Sequence, residues 1–92
     1  MKKRVIARLF IKAGSVGEFM KQANVMIDTT RKEKGNIFYS LFQDVHNSGE
    51  FVFYEEYADE SALDIHFKSE YLANFRKRTA SMHSKPPSVE VV

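Results

Sequence analysis

Short runs of apolar and β-branched residues, bounded by turn residues, recur along this chain at strand length, and two other stretches place apolar residues at helical spacing. From Arg4 to Ile11, RVIARLFI is β-branched and apolar, and Gly14-Ser15 stops it, which predicts a first strand. Ser15 and Glu18 form the S-x-x-E capping box, in which the serine bonds the N–H three residues on and the glutamate reaches back, so a helix is expected to begin there. Val16, Phe19, Met20, Ala23, Ile27 and Thr30 continue it at helical spacing. The basic cluster Arg31, Lys32, Lys34 suits the negative end of a helix dipole, and Gly35 ends the segment. Asn36 to Asp44 reads as a second strand, VHNSG as a hairpin loop and Glu50 to Tyr57 as the returning strand. Asp59 can cap a further helix, Ser69 marks a break in it, and Tyr71, Leu72, Phe75 and Thr79 continue the helical spacing. Lys85-Pro86-Pro87 forces an extended entry into a last strand, SVEVV.

The order β-α-β-β-α-β is the ferredoxin-like, split βαβ arrangement: a single α+β domain over residues 1–92, with an antiparallel sheet and both helices on one face. The strands complicate this picture, because both faces are apolar. Ile37, Tyr39 and Leu41 oppose Phe38 and Phe42, and Phe51, Phe53 and Tyr57 oppose Val52 and Tyr54. One helical layer cannot cover two faces, so a second sheet is expected on the free one, most simply from an identical subunit, giving a homodimer closed sheet to sheet.

Composition removes several classes of function. The net charge of +2 comes from well-mixed charges, with no basic stripe for nucleic acid. The absence of cysteine leaves no disulfide frame, thiolate metal site or cysteine nucleophile, and fits a reducing compartment. Arg8 and Lys12 interrupt the apolar start, and no run reaches transmembrane length, so a cytoplasmic protein with no membrane partner is expected. No GxGxxG, P-loop, HExxH or GxSxG pattern occurs.

The candidate chemistry gathers between Glu55 and Phe75, where a strand end, a helix start and His66 meet. Leu63, His66 and Phe67 share one helix face, which sets an imidazole against an apolar wall. Its two readings are a proton carrier and a core imidazole donating to a backbone carbonyl. Arg8, in an apolar strand, either pairs with Glu55 or Glu56, reaches solvent along its stem, or meets an anionic ligand. Glu55 and Glu56 are adjacent in a strand, point to opposite faces, and so form no carboxylate pair. His46 and His83 read as solvated.

The run EKGNIFYSLFQD, followed by FVFYEEYADESALDIHFKSEYLANF, resembles the antibiotic biosynthesis monooxygenase family, small dimeric α+β barrel proteins that include quinol monooxygenases. Gly35 and Tyr39 match its glycine before an aromatic strand, Glu55 and Tyr57 its glutamate two residues before an aromatic, and Ala62, Leu63 and His66 its A-L-x-x-H core. Ser69 and Phe75 match the positions after it. Tyr57 stands where many members have Trp, and Tyr71 where many have a second His. The resemblance implies a dimeric α+β barrel that oxygenates a quinol or polyketide-like phenol with dioxygen and without cofactor or metal. On that expectation His66 is the base and Tyr39 its catalytic companion. Arg8, Phe42, Tyr54, Phe67, Tyr71 and Phe75 bind the substrate, with Arg8 at an oxyanion and the aromatics holding the ring and excluding water. An isomerase of the same family, or a non-catalytic ligand-binding dimer, are the alternatives.

Overall fold

The computed structural model describes residues 1–92. Its elements are β1 (Lys3–Ile11), α1 (Val16–Thr30), β2 (Asn36–Gln43), β3 (Glu50–Tyr57), α2 (Glu60–Phe67), α3 (Glu70–Thr79) and β4 (His83–Val91), with single 3₁₀ turns before α1 and after α3. The four strands form one antiparallel sheet in the order β2-β3-β1-β4. This is the ferredoxin-like topology, but the expected α+β barrel is not what this chain builds. The sheet is open, β2 and β4 each pairing on one side only. Four strands are too few to bring two edges together, since a filled barrel takes about eight.

Strand parity decides which face the helices cover. Val5, Ala7, Leu9 and Ile11 of β1 and Phe51, Phe53 and Tyr57 of β3 are buried, and Tyr39 joins them from β2. Phe19, Ala23 and Met26 of α1 and Leu72 of α3 pack on this face in one core, while Val5, Tyr57 and Leu63 form a smaller cluster beneath α2. The opposite face holds Ile6, Arg8 and Phe10 of β1, Val52 and Tyr54 of β3, and Phe38 and Phe42 of β2, paired in register across the sheet. Phe38 is 42% and Phe42 54% exposed.

Several local expectations are corrected. Ser15 makes no capping bond, because the chain enters α1 through the 3₁₀ turn Ala13–Ser15 and leaves Ser15 in the helical region, not in the extended one a cap requires. Glu18 instead accepts from the Gln22 amide at 2.9 Å. Arg31 lies just past α1 and ties it to β2, its Nε donating to the Tyr39 carbonyl at 3.0 Å. Asp44 leaves β2 to fold the hairpin, its Oδ1 accepting from the backbone N–H groups of His46 and Asn47 at 2.7 and 2.9 Å. β4 begins at His83, before the two prolines; an edge strand with register shifts against β1 tolerates their missing N–H donors.

The expected break at Ser69 is present and matters for the site. Asp59 caps α2 by accepting from the Ala62 N–H at 2.9 Å. Eight residues later α2 stops, and the Ser69 hydroxyl donates to the His66 carbonyl at 2.7 Å, so the bend pins the residue that carries the imidazole. Gly35 supports the other end of α2: a Cβ there would collide with the Ala62 methyl group.

Candidate active site

A cavity of about 290 Å³ lies between the helical layer and the covered face of the sheet. Its walls are mainly apolar, from Val5, Ala7 and Leu9 beneath to Met26, Phe67, Leu72 and Phe75 above. An apolar cavity of ~150 Å³ already holds benzene, so this volume suits a compound of one or two rings. Into this space project Tyr39, Glu55, His66, Arg76, Thr79 and His83.

The polar centre is a chain of buried side chains around His66, which is only 1% exposed. Its Nδ1 lies 3.0 Å from Glu33 Oε2, and its Nε2 lies 3.8 Å from Glu55 Oε1. A carboxylate only accepts, so the neutral ring carries its proton on Nδ1, donates it to Glu33 and turns the Nε2 lone pair toward Glu55. Glu55 is itself 4% exposed and accepts from the Tyr57 hydroxyl at 2.7 Å. The rings of Tyr57 and Tyr39 flank the imidazole at 5.3 and 5.5 Å between centroids.

Burial sets the protonation states. It lowers the His66 pKa below the usual histidine value, outweighing the opposite pull of the Glu33 hydrogen bond and charge, so the ring is neutral near pH 7. Burial likewise pushes the Glu55 carboxyl up to about 7; the nearby Glu33 charge adds to the rise, and the Tyr57 hydrogen bond and the Arg76 guanidinium oppose it. The hydroxyls of Tyr39 and Tyr57 are driven well above the usual phenol range, first by burial and then by the Glu55 charge, which makes both of them donors and not bases. No group of three His, Cys, Asp or Glu side chains is arranged to hold a metal ion.

A model of the family described as antibiotic biosynthesis monooxygenase matches residues 4–78, most of the chain. The chain belongs to this family. The solved structures of a conserved protein from Methanosarcina mazei Go1 and of Rv0793 from Mycobacterium tuberculosis share its fold with TM-scores of 0.95 and 0.93, at 28% and 29% identity. Each similarity covers 100% of this chain, and 91% and 93% of the respective relative. The Synechocystis protein sll1783 is 28% identical over 87 residues, 95% of this chain, and the chain spans 59% of that relative's length.

Within this family member the structure brings four of the expected site residues to the cavity: His66, Tyr39, Phe67 and Phe75. It separates four others from it. Arg8, Phe42 and Tyr54 lie on the free face of the sheet, where Arg8 reaches only Glu50 at 3.5 Å and the Tyr54 hydroxyl donates to Glu56 at 2.6 Å. The pairing of Arg8 with Glu55 or Glu56 is therefore replaced by a loose surface contact, because Glu55 points to the covered face. Tyr71 packs its ring 6.3 Å from that of His66, but it faces a groove between α1 and α3, and its buried hydroxyl has no partner. His83, read as solvated, lines the cavity instead, and its buried Nδ1 has no partner in the protein.

Glu55, Glu33 and Arg76 were not singled out as site residues from sequence. For Glu55 a signal existed: in FVFYEEY it keeps the parity of Phe51, Phe53 and Tyr57, so a carboxylate occupies a buried-face position. Its burial has a measurable cost. The folded carboxyl holds its proton up to about 7 while its ordinary value is 4.5, so the folded state binds the extra proton in that window and stability falls as pH rises through it. Glu55→Gln removes that charge while keeping the shape. The unfolding free energy of the variant relative to wild type is expected to rise by on the order of 2–3 kcal/mol across the window. Urea titrations at several pH values measure this difference, and a pH-independent value would contradict a buried, proton-binding Glu55.

Proposed function

We propose that the cavity takes a small phenol or quinol and oxygenates it with dioxygen, without a cofactor. The observation that carries this reading is the neutral, Glu33-anchored imidazole beside Glu55 in an apolar cavity sized for one or two rings. In that setting a bound phenol loses its hydroxyl proton to His66 and its neighbour Glu55, and the electron-rich phenolate passes an electron to dioxygen. Recombination of the two radicals forms the ring C–O bond; return of the hydroxyl proton to the distal oxygen and loss of the proton from the oxygenated ring carbon then break the O–O bond, and the distal oxygen leaves with both protons as water. Atoms and electrons balance as phenol plus dioxygen giving quinone plus water.

Other residues have roles in the same reading. The Tyr39 hydroxyl, held protonated, donates to the ligand oxygen and orients it. Phe67 and Phe75 pack on the ring and exclude water. Arg76, exposed on α3 at the cavity wall, offers a guanidinium to the developing oxyanion, the role that the family resemblance implies for Arg8. The free sheet face joins a second copy of the chain through the apolar set Ile6, Phe10, Phe38, Phe42, Val52 and Tyr54.

The pair of adjacent proton carriers favours one second reading, isomerisation of a small ligand by proton transfer without oxygen. Oxygen consumption by the purified protein with a panel of quinols and phenols separates the two. The oxygenase reading expects consumption that depends on both protein and phenol; ligand conversion under nitrogen would favour the isomerase.

A further inference from the structure

Glu33 and Glu55 approach the same imidazole from opposite sides and belong to different spaces. Glu55 lines the internal cavity. Glu33 stands in the turn between α1 and β2 and lines a separate groove with Lys34, Gly35, Ala58 and Asp59. The His66 ring is the partition between them, with Nδ1 on the Glu33 side and Nε2 on the Glu55 side. Tyr57 occupies Glu55 Oε1, and no protein group donates to Glu55 Oε2.

We propose that Glu55 is the group that takes the ligand's hydroxyl proton, on Oε2, with His66 behind it as the second stage and Glu33 as the positioning residue that holds the ring. This rests on the proton-abstraction reading given above and names the acceptor within it. The ligand O–H bond breaks and its proton goes to Oε2; Tyr57 continues to donate to Oε1. The carboxyl's other oxygen, Oε1, stands 3.8 Å from the Nε2 lone pair, which exists because Glu33 keeps the ring proton on Nδ1. Any positive charge reaching the ring is balanced by the Glu33 carboxylate. The proton returns from Oε2 to the ligand oxygen, and the ring ends the cycle in the tautomer in which it began.

The groups facing Glu55 agree with this role. From β3 comes the Tyr57 hydroxyl, from β2 the Tyr39 hydroxyl, from α2 a neutral His66, from α3 the Arg76 guanidinium and from β4 His83, while β1 contributes only apolar side chains. The one cation among them, Arg76, makes no ion pair with Glu55, so the carboxyl is free to bind a proton near neutrality.

The test uses the intact protein labelled with ¹³C at its glutamate carboxyls, titrated by NMR, together with 4-nitrophenol binding under nitrogen, in which the visible phenolate band reports proton transfer without turnover. One carboxyl is expected to titrate near 7 in wild type and to be lost in Glu55→Gln. Glu33→Gln keeps a hydrogen-bond acceptor but removes the charge that raises Glu55, so that midpoint should move down by roughly half a unit to one unit. The phenolate band of the bound probe should form in wild type below the pH at which the free phenol ionises, and disappear in Glu55→Gln. A neutral-range carboxyl that survives in Glu55→Gln overturns the assignment, as does an unmoved midpoint in Glu33→Gln or a phenolate band independent of Glu55. If the band behaves as expected but no phenol consumes oxygen, the oxygenase reading fails and the proton chain stands.

Discussion

His66→Ala is expected to lower turnover by about 10²-fold or more, the usual contribution of a positioned proton-transfer group. The fold should survive. Losing the ring strips Glu33 of its buried donor, a loss that costs roughly 1–3 kcal/mol. Activity and stability must therefore be measured on one preparation, with turnover expressed per folded chain. The pH profile adds a sign. Both acceptors must be unprotonated to work, so wild-type turnover should fall as pH drops through about 7, where Glu55 gains its proton. It should fall again below the ordinary histidine range, where His66 does so. In His66→Ala the second fall disappears and the first remains. Undiminished turnover per folded chain would move the chemistry off the imidazole, toward a substrate that ionises unaided.

The second large effect concerns the free face of the sheet. Phe42 is 54% exposed in the isolated chain, so Phe42→Asp should change the stability of a monomer by only about half a kcal/mol. In a dimer closed through this face, the same carboxylate is buried without a partner. That costs about 3 kcal/mol or more, equivalent to at least ~10²-fold weaker association. Sedimentation velocity is expected to show a wild-type dimer at micromolar concentration and a Phe42→Asp monomer with a lower unfolding midpoint. A wild-type monomer, or a variant that still dimerises normally, would contradict the interface.

Most of the fold was legible because each element carries its own punctuation. Gly14-Ser15, Gly35, Asp59 and Ser69 stand at or near the observed boundaries, and Glu50 to Tyr57 matches β3 residue for residue. The start of β4 was hidden by its prolines, which signal an irregular strand only once its edge position is known. The open sheet was not legible for a different reason: apolar residues on both strand faces say that each face favours cover, but not whether the sheet closes on itself.

The site was legible in its helical half and obscured in its sheet half. His66, Phe67 and Phe75 follow from helical spacing, which turns one stripe of each helix toward the core. Strand residues carry parity but not the identity of the covered face, and here both parities are apolar. Arg8, Phe42 and Tyr54 share the even parity that turned out to be uncovered, whereas Tyr39 and Glu55 share the odd one. Glu33 is less legible still. It lies in a turn 33 residues from the histidine it holds, and only the packing of α2 over that turn brings them together.

The proposed reaction is oxygenation of a phenol in this cavity with the protein's own proton carriers. Its most direct test is oxygen consumption by extensively dialysed protein given a one-ring quinol, followed alongside the appearance of the oxygenated product. One dioxygen should be consumed per quinol converted, the quinone should carry one oxygen atom from ¹⁸O₂, and both signals should fall by at least ~10²-fold in His66→Ala. Binding of the quinol in the cavity with no protein-dependent oxygen consumption, or product oxygen drawn from water, would contradict it.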